Sequence, residues 1–268
     1  MLKKEQIDKH GWMLMKNVFT KEEITKFRDY AEKDKNHKGD LLSAKFLSKI
    51  ILDKRIINIY KESTGINKLI YFGDSTLSYS NSQSGFHKDS RDRHKKDSEE
   101  FKDINYSLLR IGIYLQDHSN HSQGLCVRSD SHLYQSIDKG KIVNVKSEVG
   151  DVVIWKLTTT HSPNAEIISL LPNHSFNPRR TKLLPSFLKK KSMSPRLALF
   201  MGFGIDDVYT QEYIEYLKTR NYAVEKWQHS NYSDETVAAM KKMNVQVITN
   251  FNINDIDQNN INIDFKQI

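Results

Sequence analysis

The chain has 268 residues, of which 38% are hydrophobic and 10% aromatic, and its formal net charge is +8. This composition excludes an intrinsically disordered chain, and the length fits one large domain. A single cysteine, Cys126, excludes an intrachain disulfide. No apolar run approaches the ~20 residues of a membrane-spanning helix, and the N-terminus lacks the apolar core of a signal peptide. We therefore expect a cytoplasmic protein.

The first elements are predicted to be a short strand and a helix. Residues 11–18 form an apolar run that favours a strand. Thr20 and Glu23 then have the spacing of a capping box, in which each side chain accepts a hydrogen bond from the other residue's backbone N–H. Ile24, Phe27 and Ala31 share one face of the helix that should follow, which predicts a helix ending near residue 34.

A second helix is predicted over residues 41–63, with Gly65 just beyond its end. After residue 68 the pattern changes to β-formers and turn residues, including a turn at 81–85. One or two helices are expected from residue 209, followed by a polar end. Two helices and then a run of strands indicate an α+β layout with a sheet-built core. Strands are predicted at residues 69–80, 106–116, 124–128, 152–157 and 196–203.

Two segments are rich in charge. Residues 90–103 mix both signs, which is typical of a solvated loop, although their place after a candidate metal site also allows a mobile flap. Residues 165–196 carry seven Lys or Arg against one acid, Glu166. This local excess suggests an anionic substrate or surface, with solubility as the plain alternative.

Three residues are candidates for a metal site. His87 and Asp89 are separated by one residue, so on a strand their side chains point to the same face. His161 follows a Gly-Asp turn and an apolar strand, and Pro163 should end that strand. Two histidines and one carboxylate form the facial triad of non-haem Fe(II) oxygenases. None of the other histidines combines a strand end with a nearby carboxylate.

Several motifs follow one another in a particular order. They are His10-Gly11-Trp12 with the strand and helix after it, Phe86-His87-Lys88-Asp89, Tyr114-Leu115-Gln116-Asp117, Gln123-Gly124-Leu125-Cys126-Val127-Arg128 with Ser131-His132, Gly150-Asp151-Val152-Val153-Ile154-Trp155 and His161-Ser162-Pro163-Asn164. From residue 10 to residue 204 the chain resembles the phytanoyl-CoA dioxygenase family of Fe(II)/2-oxoglutarate-dependent oxygenases. Asp130 stands where that family usually has glycine.

The resemblance implies a double-stranded β-helix, a cupin-like jelly-roll, flanked by N-terminal helices and a C-terminal helical tail. It implies Fe(II) held by His87, Asp89 and His161, and 2-oxoglutarate as co-substrate. The far carboxylate of 2-oxoglutarate needs a cation, and Arg196 matches the family's arginine on the strand after the distal histidine. Arg196 lies 35 residues after His161, beyond the family's usual gap, so Arg179 or Arg180 could supply the guanidinium instead.

The expected organisation is one oxygenase domain over residues 1–268. It comprises an N-terminal strand and helices at 1–66, a jelly-roll core at 67–205 with a basic insertion at about 165–195, and a helical extension at 206–268. Because Asp89 is present, hydroxylation is favoured over halogenation.

The expected partners are molecular oxygen and a small, possibly anionic, organic substrate that residues 189–191 could contact. We expect neither a membrane partner nor nucleic acid. Two alternatives are open. One is a non-catalytic or metal-binding jelly-roll protein, and the other is a polyanion-binding protein that uses the basic insertion.

Overall fold

The computed structural model describes residues 3–79, 85–93, 95 and 97–248. Helices flank a β-rich centre at both ends of the chain. The α-helices are α1 (Lys3–His10), α2 (Lys21–Lys33), α3 (Ser48–Ile51), α4 (Lys54–Thr64), α5 (Pro178–Lys182), α6 (Val208–Lys218), α7 (Asn221–Gln228) and α8 (Asp234–Lys242). None of these helices is long and apolar enough to cross a membrane.

The strands form two antiparallel sheets and one small parallel pair. The larger sheet has the order β1-β7-β4-β9-β3, the smaller sheet has the order β6-β5-β8, and β10 pairs with β2. Their bounds are β1 (Trp12–Met15), β2 (Leu69–Tyr71), β3 (Ser75–Tyr79), β4 (Leu109–Tyr114), β5 (Gly124–Ser129), β6 (Lys141–Asn144), β7 (Val152–Lys156), β8 (His161–Ala165), β9 (Leu197–Phe203) and β10 (Val245–Val247).

The two antiparallel sheets pack against each other through apolar side chains. Tyr114 and Trp155 of the larger sheet share one buried cluster with Leu125 and Val127 of the smaller sheet. A second and larger core lies on the other face of the five-stranded sheet, where the N-terminal helices cover it. This mixed arrangement of helices and antiparallel sheets agrees with the α+β prediction.

The predicted capping box at the start of α2 is confirmed. The Thr20 side chain accepts a hydrogen bond from Glu23 N at 3.2 Å, and the Glu23 carboxylate accepts one from Thr20 N at 2.8 Å. Ile24, Phe27 and Ala31 are buried, as the periodicity predicts. Helix α1, which precedes the first strand, was not predicted.

The prediction of one helix over residues 41–63 is wrong. The chain forms a short 3-10 turn at Leu41–Ser43 and then the separate helices α3 and α4. The break before α4 is caused by Asp53, whose carboxylate accepts a hydrogen bond from Arg55 N at 2.9 Å and so begins a new helix. Gly65 ends α4 in the left-handed conformation, at φ 76°, as predicted.

Two strand predictions needed correction. The strand predicted at 69–80 is split by Gly73, which has φ 70°, into β2 and β3. Pro163 does not end its strand, because β8 continues to Ala165. A proline is tolerated there because β8 is an edge strand whose register with β5 is irregular. Of the predicted turn at 81–85, only Gly85 is among the described residues.

The charged run at 90–103 is not simply a solvated loop. Asp92 and Glu100 are buried, and Arg91 lies 2.8 Å from Asp92 Oδ1 and 3.0 Å from Glu212 of α6. Burial raises the pKa of Glu100 to about 7. An ion cluster therefore attaches this segment to the C-terminal helices. The predicted polar end of the chain, residues 249–268, lies outside the described residues.

Asp130, at the position where the resemblance suggests glycine, has a left-handed backbone with φ 68°. Aspartate is among the few side chains that tolerate this region. Its carboxylate also lies 2.8 Å from Nδ1 of His10. The departure from glycine therefore preserves the local turn.

Candidate metal centre

Backbone pairing brings the two candidate histidines together. His87 N donates to His161 O, and His161 N donates to His87 O, each at 2.9 Å. His87 lies in this isolated bridge and not in a strand, so the predicted strand setting of the His-x-Asp pair is wrong. The bridge nevertheless gives the extended geometry in which successive side chains point in opposite directions. His87 and Asp89, two positions apart, therefore point to the same side, and Lys88 points to the other.

The side chains of His87, Asp89 and His161 converge on one point. Their candidate ligand atoms all lie within 4.8 Å of one another. Nε2 of His87 is 3.6 Å from Oδ1 of Asp89, and Nε2 of His161 is 3.5 Å from Oδ2. Two imidazole nitrogens and one carboxylate at these separations could hold a divalent transition metal on one face.

The backbone orients both imidazole rings. Nδ1 of His161 lies 3.0 Å from Thr159 O, and Nδ1 of His87 lies 3.4 Å from Gly85 O. A proton on Nδ1 leaves Nε2 as the lone-pair atom that faces the centre, as metal-binding histidines require. Burial lowers the pKa of His161 to about 4, so this ring is neutral at physiological pH.

Lys88 points away from the centre into the protein. It is 1% exposed, and its ammonium donates to Ser131 O at 3.0 Å and to Thr158 O at 2.5 Å. Burial lowers the pKa of Lys88 well below its usual range. The side chain therefore ties the His-x-Asp segment to the turn that precedes His161.

Arg110 of β4 is a site residue that the sequence analysis missed. Its Nε lies 3.2 Å from Oδ2 of Asp89, and its Nη2 lies 2.6 Å from Oδ2 of Asp74. Lys226 of α7 lies 3.3 Å from the other oxygen of Asp74. Burial acts to raise the pKa of Asp89, but His161, Arg110 and His87 together lower it well below the usual range.

The spacing of β4 could have revealed this residue. Positions 110, 112 and 114 lie on one face of a strand, and Tyr114 belongs to the motifs quoted above. At Gly112 an added Cβ would lie 3.0 Å from the Trp155 ring and 3.2 Å from the Phe200 ring. The absence of a side chain at Gly112 therefore leaves room for the rings of Trp155 and Phe200 to pack against this face of β4, beside Arg110.

A cavity of about 140 Å³ opens beside the three candidate ligands. A volume of this size equals that of four or five molecules of liquid water, which suits a small ligand. The lining is mostly apolar, apart from the candidate ligands and Arg110. It consists of His87, Asp89, Arg110, Tyr114, Leu125, Trp155, His161, Pro163 and Phe200.

Arg196 lies beside the Tyr114 end of the cavity. It is 3% exposed, and its guanidinium carbon is 5.5 Å from the centroid of the Tyr114 ring. Nε donates to Gln123 O at 2.9 Å and Nη1 donates to Ser78 Oγ at 3.1 Å. The Arg196 guanidinium also interacts with the Tyr114 hydroxyl and so acts to lower the Tyr114 pKa, against the larger effect of burial. Among the described residues, neither Nη2 of Arg196 nor this hydroxyl has a hydrogen bond of standard geometry, although both are buried.

The two alternative arginines lie elsewhere. Arg179 and Arg180 are exposed on α5, and neither lines the cavity. Arg196 also does not line the cavity itself, but it is buried and contacts the lining residue Tyr114, whereas Arg179 and Arg180 are exposed.

The fold is shared with non-haem oxygenases. The structure of EctD from S. alaskensis with 2-oxoglutarate and 5-hydroxyectoine is 14% identical, covers 75% of this chain and 74% of its own, and has a TM-score of 0.52. HygX from Streptomyces hygroscopicus with nickel and 2-oxoglutarate bound is 16% identical, covers 77% and 88%, and has a TM-score of 0.51. At this level of identity, the likeness shows a common fold.

A third similar structure is described as a non-haem α-ketoglutarate-dependent epimerase, SnoN from nogalamycin biosynthesis. It is 14% identical, covers 75% of this chain and 80% of its own, and has a TM-score of 0.51. No family model matches the chain, and no curated protein matches it either. Proteins with this fold thus include at least one that is not described as a hydroxylase.

Proposed function

We propose that this protein is an Fe(II)- and 2-oxoglutarate-dependent dioxygenase of the phytanoyl-CoA dioxygenase type, built on a double-stranded β-helix within one oxygenase domain. The observation that carries the proposal is the convergence of His87, Asp89 and His161 beside a small, largely apolar cavity. The neutral His161 and the ionised Asp89 have the protonation states that metal ligation needs. The structures of EctD with 2-oxoglutarate and of HygX with nickel and 2-oxoglutarate bound support the same chemistry.

The residues at the Tyr114 end of the cavity fit a dicarboxylate co-substrate. Nη2 of Arg196 and the Tyr114 hydroxyl are buried donors without a standard hydrogen bond among the described residues. A buried donor is costly unless it finds an acceptor. We assign both donors to the far carboxylate of 2-oxoglutarate, whose keto-acid end would then face His87, Asp89 and His161.

Bound iron would supply the oxidising chemistry, with 2-oxoglutarate as the electron-donating co-substrate. The protein's own residues provide orientation and shielding. Arg110 holds Oδ2 of Asp89, while Trp155 and Phe200 exclude water from one wall of the cavity. Because Asp89 occupies the third protein position, we propose hydroxylation of a small organic substrate as the outcome.

Anaerobic titration tests the cofactor assignment directly. Fe(II) and 2-oxoglutarate together should give a weak visible charge-transfer band, which His161→Ala and Asp89→Ala should abolish. His174→Ala is a matched control, because His174 is exposed and lies outside the cavity lining. A band of equal strength in His161→Ala would contradict the site.

Arg196→Lys tests the co-substrate end separately. The substitution keeps one positive charge but removes the planar guanidinium, in which Nε and Nη1 bind Gln123 and Ser78 and so direct Nη2. We expect the concentration of 2-oxoglutarate at half-maximal band intensity to rise ~10-fold or more, with Fe(II) binding retained. An unchanged value would exclude Arg196 as the partner of the far carboxylate of 2-oxoglutarate, and Arg179 and Arg180 would then be the next candidates.

Succinate formation distinguishes an enzyme from a metal-binding protein with the same fold. Uncoupled turnover of 2-oxoglutarate, assayed with Fe(II) and oxygen, should yield succinate even before a substrate is known. Normal band formation without succinate across a panel of small organic acids, amines and nucleotides would favour the non-catalytic alternative.

A further inference from the structure

The segment between β8 and β9, residues 166–195, has an unusual surface. It exposes six large apolar side chains, whereas single exposed apolar residues are the rule on protein surfaces. Leu170 and Phe187 are each 80% exposed, and Leu183 is 86% exposed. The full set is Leu170, Leu171, Leu183, Leu184, Phe187 and Met193.

The base of this segment is fixed, which brings several of these side chains near one another. Ser169 N donates to Leu188 O at 2.8 Å, and Lys190 N donates to Ile167 O at 2.9 Å. These two hydrogen bonds form a short ladder between residues 167–169 and 188–190. Leu170 comes directly after Ser169, and Phe187 comes directly before Leu188, so both lie at the same end of this ladder. Leu183 lies within ~14 Å of Phe187, because four residues of extended chain reach no further.

The charged side chains around these residues have one sign. Arg179, Arg180, Lys182 and Lys191 are exposed. The only acid of the segment, Glu166, lies 3.8 Å from Lys189, so these two charges compensate each other. The outer part of the segment is therefore both apolar and positively charged.

The segment leaves the fold away from the candidate metal centre. Strand β8 begins at His161 and ends at Ala165, which separates the two by ~13 Å at the usual rise per residue. No residue of 166–195 lines the cavity. These positions argue against a substrate contact by residues 189–191 and leave the surface of the segment available for another role.

We propose that residues 166–195 bind an anionic phospholipid surface. Phospholipid headgroups offer a continuous layer of negative charge with an apolar layer directly below it. Exposed Leu and Phe flanked by Lys and Arg match this arrangement, as in peripheral proteins that lie on a membrane without crossing it. The sequence-based expectation of no membrane partner is replaced by this peripheral contact.

Vesicle sedimentation of the full chain tests the proposal. We expect binding to vesicles of phosphatidylcholine with phosphatidylglycerol, and little binding to phosphatidylcholine alone. Leu183→Ser with Phe187→Ser should lower the partition coefficient ~10-fold or more. Ile104→Ser with Val208→Ser is the matched control, since these residues are 48% and 56% exposed outside the segment.

A charge variant tests the electrostatic half and remains informative if the apolar variant does not fold. Lys182→Gln with Lys191→Gln should weaken binding to anionic vesicles ~5-fold or more per charge at low salt, and the difference should shrink at high salt. The assay omits iron and 2-oxoglutarate, because the contact requires neither.

Three results would overturn the proposal. The first is no binding to anionic vesicles, and the second is binding that neither variant weakens. The third is self-association, measured by light scattering, that Leu183→Ser with Phe187→Ser abolishes, because the apolar side chains would then be covered by a second copy of the chain.

Discussion

Arg110 is held between two carboxylates, Asp89 at the candidate metal centre and Asp74 behind it. The planar guanidinium can bind both at fixed angles, so it restrains the plane of the Asp89 carboxylate. Loss of a group that orients a metal ligand typically lowers metal affinity or activity about 10- to 100-fold.

Arg110→Lys should therefore weaken Fe(II) binding or succinate formation about 10- to 100-fold. Lysine retains the positive charge but cannot reach both carboxylates with a planar set of donors. Anaerobic Fe(II) titration and a succinate assay measure the two effects. Arg179→Lys, on the exposed helix α5, should leave both unchanged, and equal behaviour of the two variants would disprove the orienting role.

His118 is held in its neutral form by its partners. Its Nε2 lies 2.8 Å from the Gln116 side-chain nitrogen, which donates, while the Gln116 oxygen accepts from Leu197 N at 2.8 Å. A proton on Nε2 would therefore face a donor. Burial lowers the pKa of His118 to about 4.

This shift predicts a pH dependence of the free energy of unfolding. The unfolded chain takes up the His118 proton near pH 6.5, whereas the folded chain takes it up only near pH 4. Protonation therefore favours the unfolded chain. The free energy of unfolding falls by about 1.4 kcal/mol per pH unit as the pH decreases from 6.5 to 4. His118→Gln should lose that slope in urea unfolding between pH 6.5 and 5. Subtracting the slope of His118→Gln from that of the unaltered protein cancels the opposite contribution of Glu100, whose pKa burial raises to about 7.

At the scale of elements, Asp40 joins the N-terminal helical region to the sheet. The buried carboxylate accepts hydrogen bonds from Leu42 N, Ser75 N and the hydroxyls of Ser75 and Tyr71, at 2.6–2.9 Å. It thus begins the 3-10 turn at Leu41–Ser43 and binds both β2 and β3, on either side of the turn that separates them.

Asp40→Ala should lower the free energy of unfolding by about 3 kcal/mol or more, because several buried donors lose their acceptor. Asp53→Ala removes the cap of α4 together with a partly exposed ion pair to Arg55, and should cost only about 1–2 kcal/mol. Urea unfolding of the two variants measures the difference. Similar losses in both would mean that the Asp40 contacts do not connect the elements as described.

The sequence predicted those elements whose signals are local. The capping box at Thr20, the end of α4 at Gly65 and the strand ending at Phe203 each depend on residues that are neighbours in the chain. The break near Asp53 was missed because Phe46, Ile50 and Ile57 continue an apolar stripe from one side of it to the other. The extent of β8 was missed because an edge strand tolerates Pro163, and only the sheet order shows which strand lies at the edge.

The residues of the candidate site also divide into those with a local sequence signal and those that depend on remote contacts. His87, Asp89 and His161 were identified from spacing and motif order, and the structure brings them together. Arg110 was missed although the spacing from Tyr114 places it on the same face of β4, because its partner Asp74 is remote in sequence and only the fold shows the contact. The apolar surface of residues 166–195 was likewise hidden, since the sequence shows charge directly but shows exposure only after folding.

At the scale of the whole molecule, residues 170–187 form an excursion that few contacts attach to the rest of the fold, among them hydrogen bonds from Asn144 N to Ser175 Oγ at 2.9 Å and from Lys146 Nζ to Asn173 Oδ1 at 2.7 Å. The ladder between residues 167–169 and 188–190 closes the base of this segment. Replacement of residues 170–187 by a short Gly-containing turn should therefore leave the thermal midpoint within a few degrees and retain the Fe(II)/2-oxoglutarate band. Thermal unfolding and anaerobic spectroscopy measure both, and loss of the band would show that this segment supports the metal centre.

The paired amides of His87 and His161 bear on how the proposed site would acquire iron. The bridge consists of backbone atoms alone, so the two segments that carry the three candidate ligands are aligned by the fold itself. Iron capture then needs little chain ordering, and its binding free energy is not consumed in folding. Metal occupancy should accordingly follow the free iron concentration reversibly, adding stability only by mass action. Both amides should exchange slowly with deuterium whether or not a chelator is present.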